Sequence, residues 1–323
     1  MRKWILVIAL ICLAAGTAFA DVSNEVIVGL EGDSTSEETY LAANPETSNS
    51  LLIAQLTHFF APLKTDDKPI ELRRFYQHPT NLSAGLAFIG FTAKDDTAGS
   101  DGEGGGSMLL LGGEYFFPTN TGLFLRITGG SSTFEQTVGG IAQPDVESEF
   151  STSDLGVRQY VVPNVELHLR LHGETTEITP NGPKITITKN VTYLGAQGVI
   201  KDVVGLLFEI GGGEREDESA GITTKYDMGA VNAEVAGYLG KQISVRLAIE
   251  VESEDENGLP AGDEFTTTTA RTTLAARYWF SERFGMELPL YSETIEEKNV
   301  VAGIESKESI KNGGIGLYAS FRF

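Results

Sequence analysis

Apolar and polar residues alternate with a period of two along most of this chain. Side chains of an extended strand point to opposite faces in turn, so each alternating run predicts a strand with one apolar and one polar face. Val165, Leu167, Leu169 and Leu171 share one face against Glu166, His168, Arg170 and His172 on the other. Ile243, Val245, Leu247, Ile249 and Val251 alternate in the same way with Ser244, Arg246, Ala248, Glu250 and Glu252. Phe284, Met286, Leu288 and Leu290 do so with Gly285, Glu287, Pro289 and Tyr291. In the last run Ile315, Leu317, Ala319, Phe321 and Phe323 oppose Gly316, Tyr318, Ser320 and Arg322, and the chain stops on an aromatic ring. Charges on the second face fit poorly in the dry core of a sandwich, where an unpaired charge costs several kcal/mol. A water-filled lumen removes that cost.

The connections alternate between short and long. Short ones fall at Pro118 to Gly122, Pro163-Asn164, Lys201-Asp202, Gly240 to Gln242 and Ser281 to Arg283. Long polar ones are expected near 33–49, 94–107, 136–148, 175–186, 214–224, 252–264 and 293–308. Short turns on one side and long loops on the other are the rhythm of a membrane barrel. The expectation is an all-β fold, a transmembrane antiparallel up-and-down β-barrel of about 14 strands (roughly 12–16), with both ends on the short-turn side. Two kinds of segment fit less well. Met108 to Leu111 carries apolar residues on both faces, and segments 82–91 and 226–239 are so rich in Gly and Ala that their inward face is ambiguous by one residue.

The N-terminus reads as an export signal. Arg2-Lys3 is basic, Trp4 to Ala15 is apolar, and Ala18-Phe19-Ala20 offers small residues for cleavage before Asp21. The expected organisation is a signal peptide over 1–20 and the barrel over 21–323. The only cysteine, Cys12, lies in the signal, so no disulfide is expected. The formal charge of −21 drops to about −23 once Arg2 and Lys3 are gone, which argues against nucleic acid.

Aromatics gather beside the short turns: Phe59, Phe60, Tyr115, Phe116, Phe117, Tyr160, Tyr238, Tyr278, Trp279, Phe280, Phe284 and Phe323. They are expected to form an interfacial girdle, with a looser second set of Phe150, Tyr226, Phe265 and Tyr291 near the long loops. One connection breaks the rhythm. Residues 63–79 stand where a short turn belongs and hold Lys64, Lys68, Arg73, Arg74 and His78. The segment either folds against the mouth and narrows the lumen or is a long solvated turn, and the solvated turn is the expectation.

With its export signal, turn rhythm, amphipathic strands and terminal Phe323, the whole chain resembles Gram-negative outer-membrane β-barrel proteins of the porin-like kind. The resemblance implies a channel for passive diffusion of small polar solutes. It also implies contact with outer-membrane lipid and lipopolysaccharide, and with the barrel assembly machinery through Phe321 and Phe323. The alternative is a structural or adhesive barrel with a closed lumen and partner-binding acidic loops. The candidate pore-lining residues are Arg126, Arg158, Glu166, His168, Arg170, His172, Arg246, Glu250, Arg271, Arg277, Glu287 and Arg322. They would either set up a transverse field across the lumen or pair with one another. His168 and His172 stand too far apart on one strand to chelate a metal together, and no nucleophile motif accompanies them, so neither an enzyme nor a cofactor is expected. Glu214 to Ser219, Glu252 to Asn257 and Gly102 to Ser107 read as solvated surface loops.

Overall fold

The computed structural model describes residues 22–38, 46–64, 68–95, 100–180, 182–260, 262–301 and 304–323; the expected signal peptide lies outside them. The strands are β1 (Val22–Glu38), β2 (Glu46–Leu63), β3 (Asn81–Asp95), β4 (Ser100–Phe116), β5 (Thr121–Val138), β6 (Ile141–Ala142), β7 (Val146–Val162), β8 (Val165–Thr179), β9 (Ile185–Ile200), β10 (Val204–Ser219), β11 (Ile222–Leu239), β12 (Ile243–Glu256), β13 (Glu264–Ser281), β14 (Phe284–Val301) and β15 (Ile304–Arg322). All but the two-residue β6 form one antiparallel ring of fourteen strands. The ring closes where β1 pairs with β15, placing Val26 opposite Phe321 and Leu30 opposite Leu317. Closure leaves no free sheet edge, which a wall in hydrocarbon requires. Phe323 extends the seam, its N–H donating to the Asn24 carbonyl at 2.9 Å and its carbonyl accepting from the Asn24 N–H at 2.8 Å.

The strands are staggered. A row of paired residues through Arg271 passes Glu293, Asn312, Thr35, Thr47, Ala93 and Gly102 to reach β5 at Gln136. In the other direction it passes Glu250, Asn232, Glu209, Gly195, His168 and Arg158 and reaches β5 at Gly122. The mismatch is the shear that strand tilt imposes on a closed barrel. It puts Arg271 and Glu250 at the level of Gly130 on β5 and of Met108 on β4, across the lumen.

The faces follow the alternation. Leu167, Leu169, Leu171, Val245, Leu247, Leu288, Leu290, Ile315 and Leu317 are exposed on the outer wall, while Glu166, His168, Glu287 and Arg322 are buried on the inner one. The expected short turns are all present as turns. The long loops are not loops for most of their length. The 214–224 stretch is a hairpin that turns on Ala220 (φ 52°) and Gly221 (φ 77°), with β10 and β11 paired right up to it. Polar residues on both faces erase the period-two signal there, yet the ladder continues, helped by exposed cross-strand pairs such as Lys225–Glu216 and Lys298–Glu264. Gly102 to Ser107, expected as a loop, lies inside β4. Its glycines make room for rings: a Cβ on Gly104 would stand 2.2 Å from Phe91 Cε2.

The girdle is half of what the aromatics suggested. Phe60, Tyr115, Phe117, Tyr278 and Phe280 point outward, but their neighbours Phe59, Phe116 and Trp279 point inward, as do Tyr160 and Tyr238. Consecutive strand residues cannot share a face. At the loop end Phe150, Tyr226 and Tyr291 also face inward, so they add nothing to an outer girdle.

Candidate functional site

The β2–β3 connection is no solvated turn; it folds into the short-turn mouth and forms a floor. Ile70–Leu72 makes a 3-10 turn and Arg73–Gln77 a short helix, α1, capped by His78 in the left-handed region. Ile70, Leu72, Arg73 and Phe75 are buried. Leu72 and Phe75 pack with Tyr160 and Val199, flanked by Tyr76, Phe116 and Tyr238, so the inward aromatics grip the floor. Phe75 meets Tyr160 edge-on at 5.3 Å, and the His78 ring stacks on Tyr160 at 3.6 Å between centroids and on Phe116 at 5.3 Å. Burial pushes the His78 imidazole below its ordinary pKa.

Polar tethers fix this floor around the rim. Ile70 N–H donates to the Lys241 carbonyl at 3.1 Å, and Arg322 donates to the Ile70 carbonyl at 3.1 Å. Lys68 Nζ and the Tyr76 hydroxyl both reach Asp202 at 2.6 Å, and these bonds hold the Asp202 carboxyl below its usual range. Arg277 pairs with Glu71 at 2.7 Å, Arg73 with Glu282, and Arg74 with Glu25 at 3.5 Å. The basic residues that marked this segment are thus largely its anchors.

Above the floor the inner wall has two characters. On β7 to β14 it is ionic. Arg158 stands 2.9 Å from Glu114 and 3.7 Å from Glu166. His168 places Nε2 2.8 Å from Glu209 and Nδ1 3.3 Å from Glu166. Arg170 donates to Asp154 at 3.2 Å and to Glu209 at 3.0 Å, and His172 Nδ1 lies 3.0 Å from Asp154. Arg246 donates to Glu287 at 2.9 Å, and Arg277 also pairs with Glu287. Lys189 on β9 pairs with Glu252 on β12, reaching over β10 and β11, and Arg215 on β10 pairs with Glu254, reaching over β11. Arg322 lies deep in the floor, bonded to Glu25 at 2.7 Å and stacked 4.2 Å over Trp279.

Three of the expected lining residues stay out of this network. Arg126 rests over Phe124, and neither Arg271 nor Glu250 has an ion-pair partner among the described residues. Arg271 and Glu250 border a cavity of about 420 Å³ shared with Arg170, Lys189, Glu234 and Glu293.

At mid-barrel on β2 to β4 the inner wall is apolar. Register puts Leu51 opposite Ile89, Ile53 opposite Ala87, Ala87 opposite Met108, and Gly85 opposite Leu110. Phe91, Phe134 and Phe150 continue this surface toward the loop end, with Phe91 and Phe134 stacked at 5.6 Å. Neither this wall nor the floor's apolar grip was singled out from the sequence. The available signal was the pair of apolar faces at Met108 to Leu111, which a strand between lipid and an apolar lumen must show.

The fold is that of an outer-membrane β-barrel. It is similar to the toluene transporter TodX of Pseudomonas putida, with 10% identity over 96% of this chain and 91% of that one and a TM-score of 0.57. A FadL homologue of Pseudomonas aeruginosa gives 10% identity over 96% and 94% of the two chains at a TM-score of 0.54. The monoaromatic hydrocarbon channel CymD gives 8% over 94% and 89% at 0.52. No family model and no curated protein matches the sequence.

Proposed function

We propose that this barrel is an outer-membrane transport channel for small amphipathic solutes. The observation that carries the reading is the two-sided lumen: an apolar wall of Leu51, Ile53, Ile89, Met108 and Leu110 faces an ionic wall with a cavity of about 420 Å³ at the same level. The small polar solutes implied by the porin-like resemblance give way, on this reading, to solutes that carry an apolar part, because the neighbours' descriptions favour apolar substrates. Two barrels of similar fold are described as a toluene transporter and a monoaromatic hydrocarbon channel, which supports transport through this architecture and a place for apolar groups in it. Arg126, Arg158, Glu166, His168, Arg170, His172, Arg246, Glu250, Arg271 and Glu287 then form the polar lining, while Arg277 and Arg322 serve the floor. Phe321 and Phe323 remain the proposed assembly signal.

The floor favours a second reading, a structural or adhesive barrel with a closed lumen. Planar-bilayer recording separates the two. Channel activity predicts discrete conductance steps, enlarged when residues 68–78 are replaced by a short Gly-Ser turn. Silence of both proteins, with the barrel folded, would leave the adhesive reading.

A further inference from the structure

We infer that the luminal cavity between β12 and β13 is a binding site for zwitterions with an apolar side group, the chemistry of an apolar α-amino acid or a very short apolar peptide. The inference rests on the channel reading and names its substrate class. Most basic side chains on the ionic wall already have carboxylates: Arg170 has Asp154 and Glu209, Lys189 has Glu252, and Arg246 has Glu287. Within the cavity Arg271 is the cation left over, and two carboxylates without an ion pair among the described residues, Glu250 and Glu293, are its direct cross-strand neighbours; Glu293 accepts from the Asn312 amide at 2.7 Å, which leaves Glu250 as the unengaged anion. Opposed strand residues have Cβ atoms roughly 5 Å apart, so adjacent ligand charges of opposite sign can meet both.

Arg271 is held away from Glu250. Its guanidinium lies 4.2 Å over the Tyr291 ring, and the Tyr291 hydroxyl is fixed by donating to Asp33 at 2.6 Å. Stacking occupies the face of the guanidinium and leaves its N–H edge for a carboxylate. Glu250 is exposed to the cavity and can only accept, which suits an ammonium. Both neighbouring walls are small or already occupied: Ala230 and Ala248 make room, and Asn232 donates to Glu209 at 3.0 Å. Across the lumen the same level is met by Met108, Leu51 and Ile89, where a side group of the ligand finds apolar surface.

The test removes one ligand charge at a time. Binding of L-phenylalanine, phenethylamine and 3-phenylpropionate to the detergent-solubilised barrel is measured by calorimetry or by ligand NMR, neither of which needs conduction. The zwitterion is expected to bind at least about tenfold more tightly than either singly charged analogue. Arg271→Gln should erase its advantage over phenethylamine, and Glu250→Gln its advantage over 3-phenylpropionate, with an unchanged β-sheet circular dichroism spectrum. Equal or tighter binding of either analogue, or no binding of phenylalanine at tens of millimolar, overturns the inference. Conductance of the same protein in bilayers tests the channel reading separately, so a conducting barrel without zwitterion preference refutes this inference alone.

Discussion

His78 shows what a single side chain does to the floor. Its ring is sandwiched against Tyr160 and Phe116, its Nε2 has no partner among the described residues, and burial holds its pKa below the ordinary 6.5. A ring released from the floor regains that ordinary value, so the released form binds a proton at a higher pH than the docked one. Docking is therefore at full strength above about pH 6.5 and weakens as the pH falls from there toward the lowered docked value. Asp202 acts in another window: its carboxyl is held below 3.8 by Lys68 and Tyr76, so its contribution is lost only as the pH falls through that lower value. Tryptic cleavage after Arg73 and Arg74 is expected to accelerate between pH 7.5 and 5.5, where trypsin activity is corrected with a control peptide. His78→Phe should remove the dependence; a flat profile in the native protein would refute the His78 assignment.

At the scale of elements, the floor hangs on Phe75 and its partners Leu72, Tyr160 and Val199. Truncating such a buried ring costs about 3–5 kcal/mol. Phe75→Ala should therefore leave the barrel folded, because Phe75 belongs to no barrel strand, while releasing the segment and raising mean conductance. Unchanged conductance and unchanged hydrogen exchange over 68–78 would show that the floor is held by its tethers instead. The strands and short turns were legible in the sequence because their signals are local: two-residue alternation and turn residues. The floor was not, because Glu25, Asp202, Tyr160, Glu282 and Arg322 reach it only once the ring has closed. Half of the clue was nevertheless local. Tyr115-Phe116-Phe117 and Tyr278-Trp279-Phe280 must alternate outward and inward, so some of these rings had to be packed against something inside the lumen.

For the whole molecule, the same alternation that builds the outer wall also says where the membrane sits. The candidate residues at Glu166 to His172 were legible because charge alternated with leucine, whereas the apolar wall was hidden at Met108 to Leu111 because both of its faces are hydrophobic. Along β8 the outer face runs from Leu167, Leu169 and Leu171 to Gly173, Thr175 and Glu177, and on β7 from Val157 and Leu155 to Ser153, Ser151 and Glu149. The apolar band covers only the half of these strands nearer the short turns, and the loop-side half stands above the hydrocarbon as a polar-walled extension. An arginine near the bilayer midplane costs about 2–4 kcal/mol on a barrel's lipid face and about 0–1 near the interface. Leu169→Arg is accordingly expected to lose about 2–4 kcal/mol in refolding into phospholipid vesicles, and Thr175→Arg, on the same face of the same strand, less than about 1 kcal/mol. Equal penalties at the two positions would mean that the membrane reaches much higher up the barrel than the side chains indicate. The binding cavity borders Arg170 and Lys189 and so sits at the upper margin of that band. A solute entering from the loop end would then cross the polar extension before it reaches the level where the apolar and ionic walls face each other.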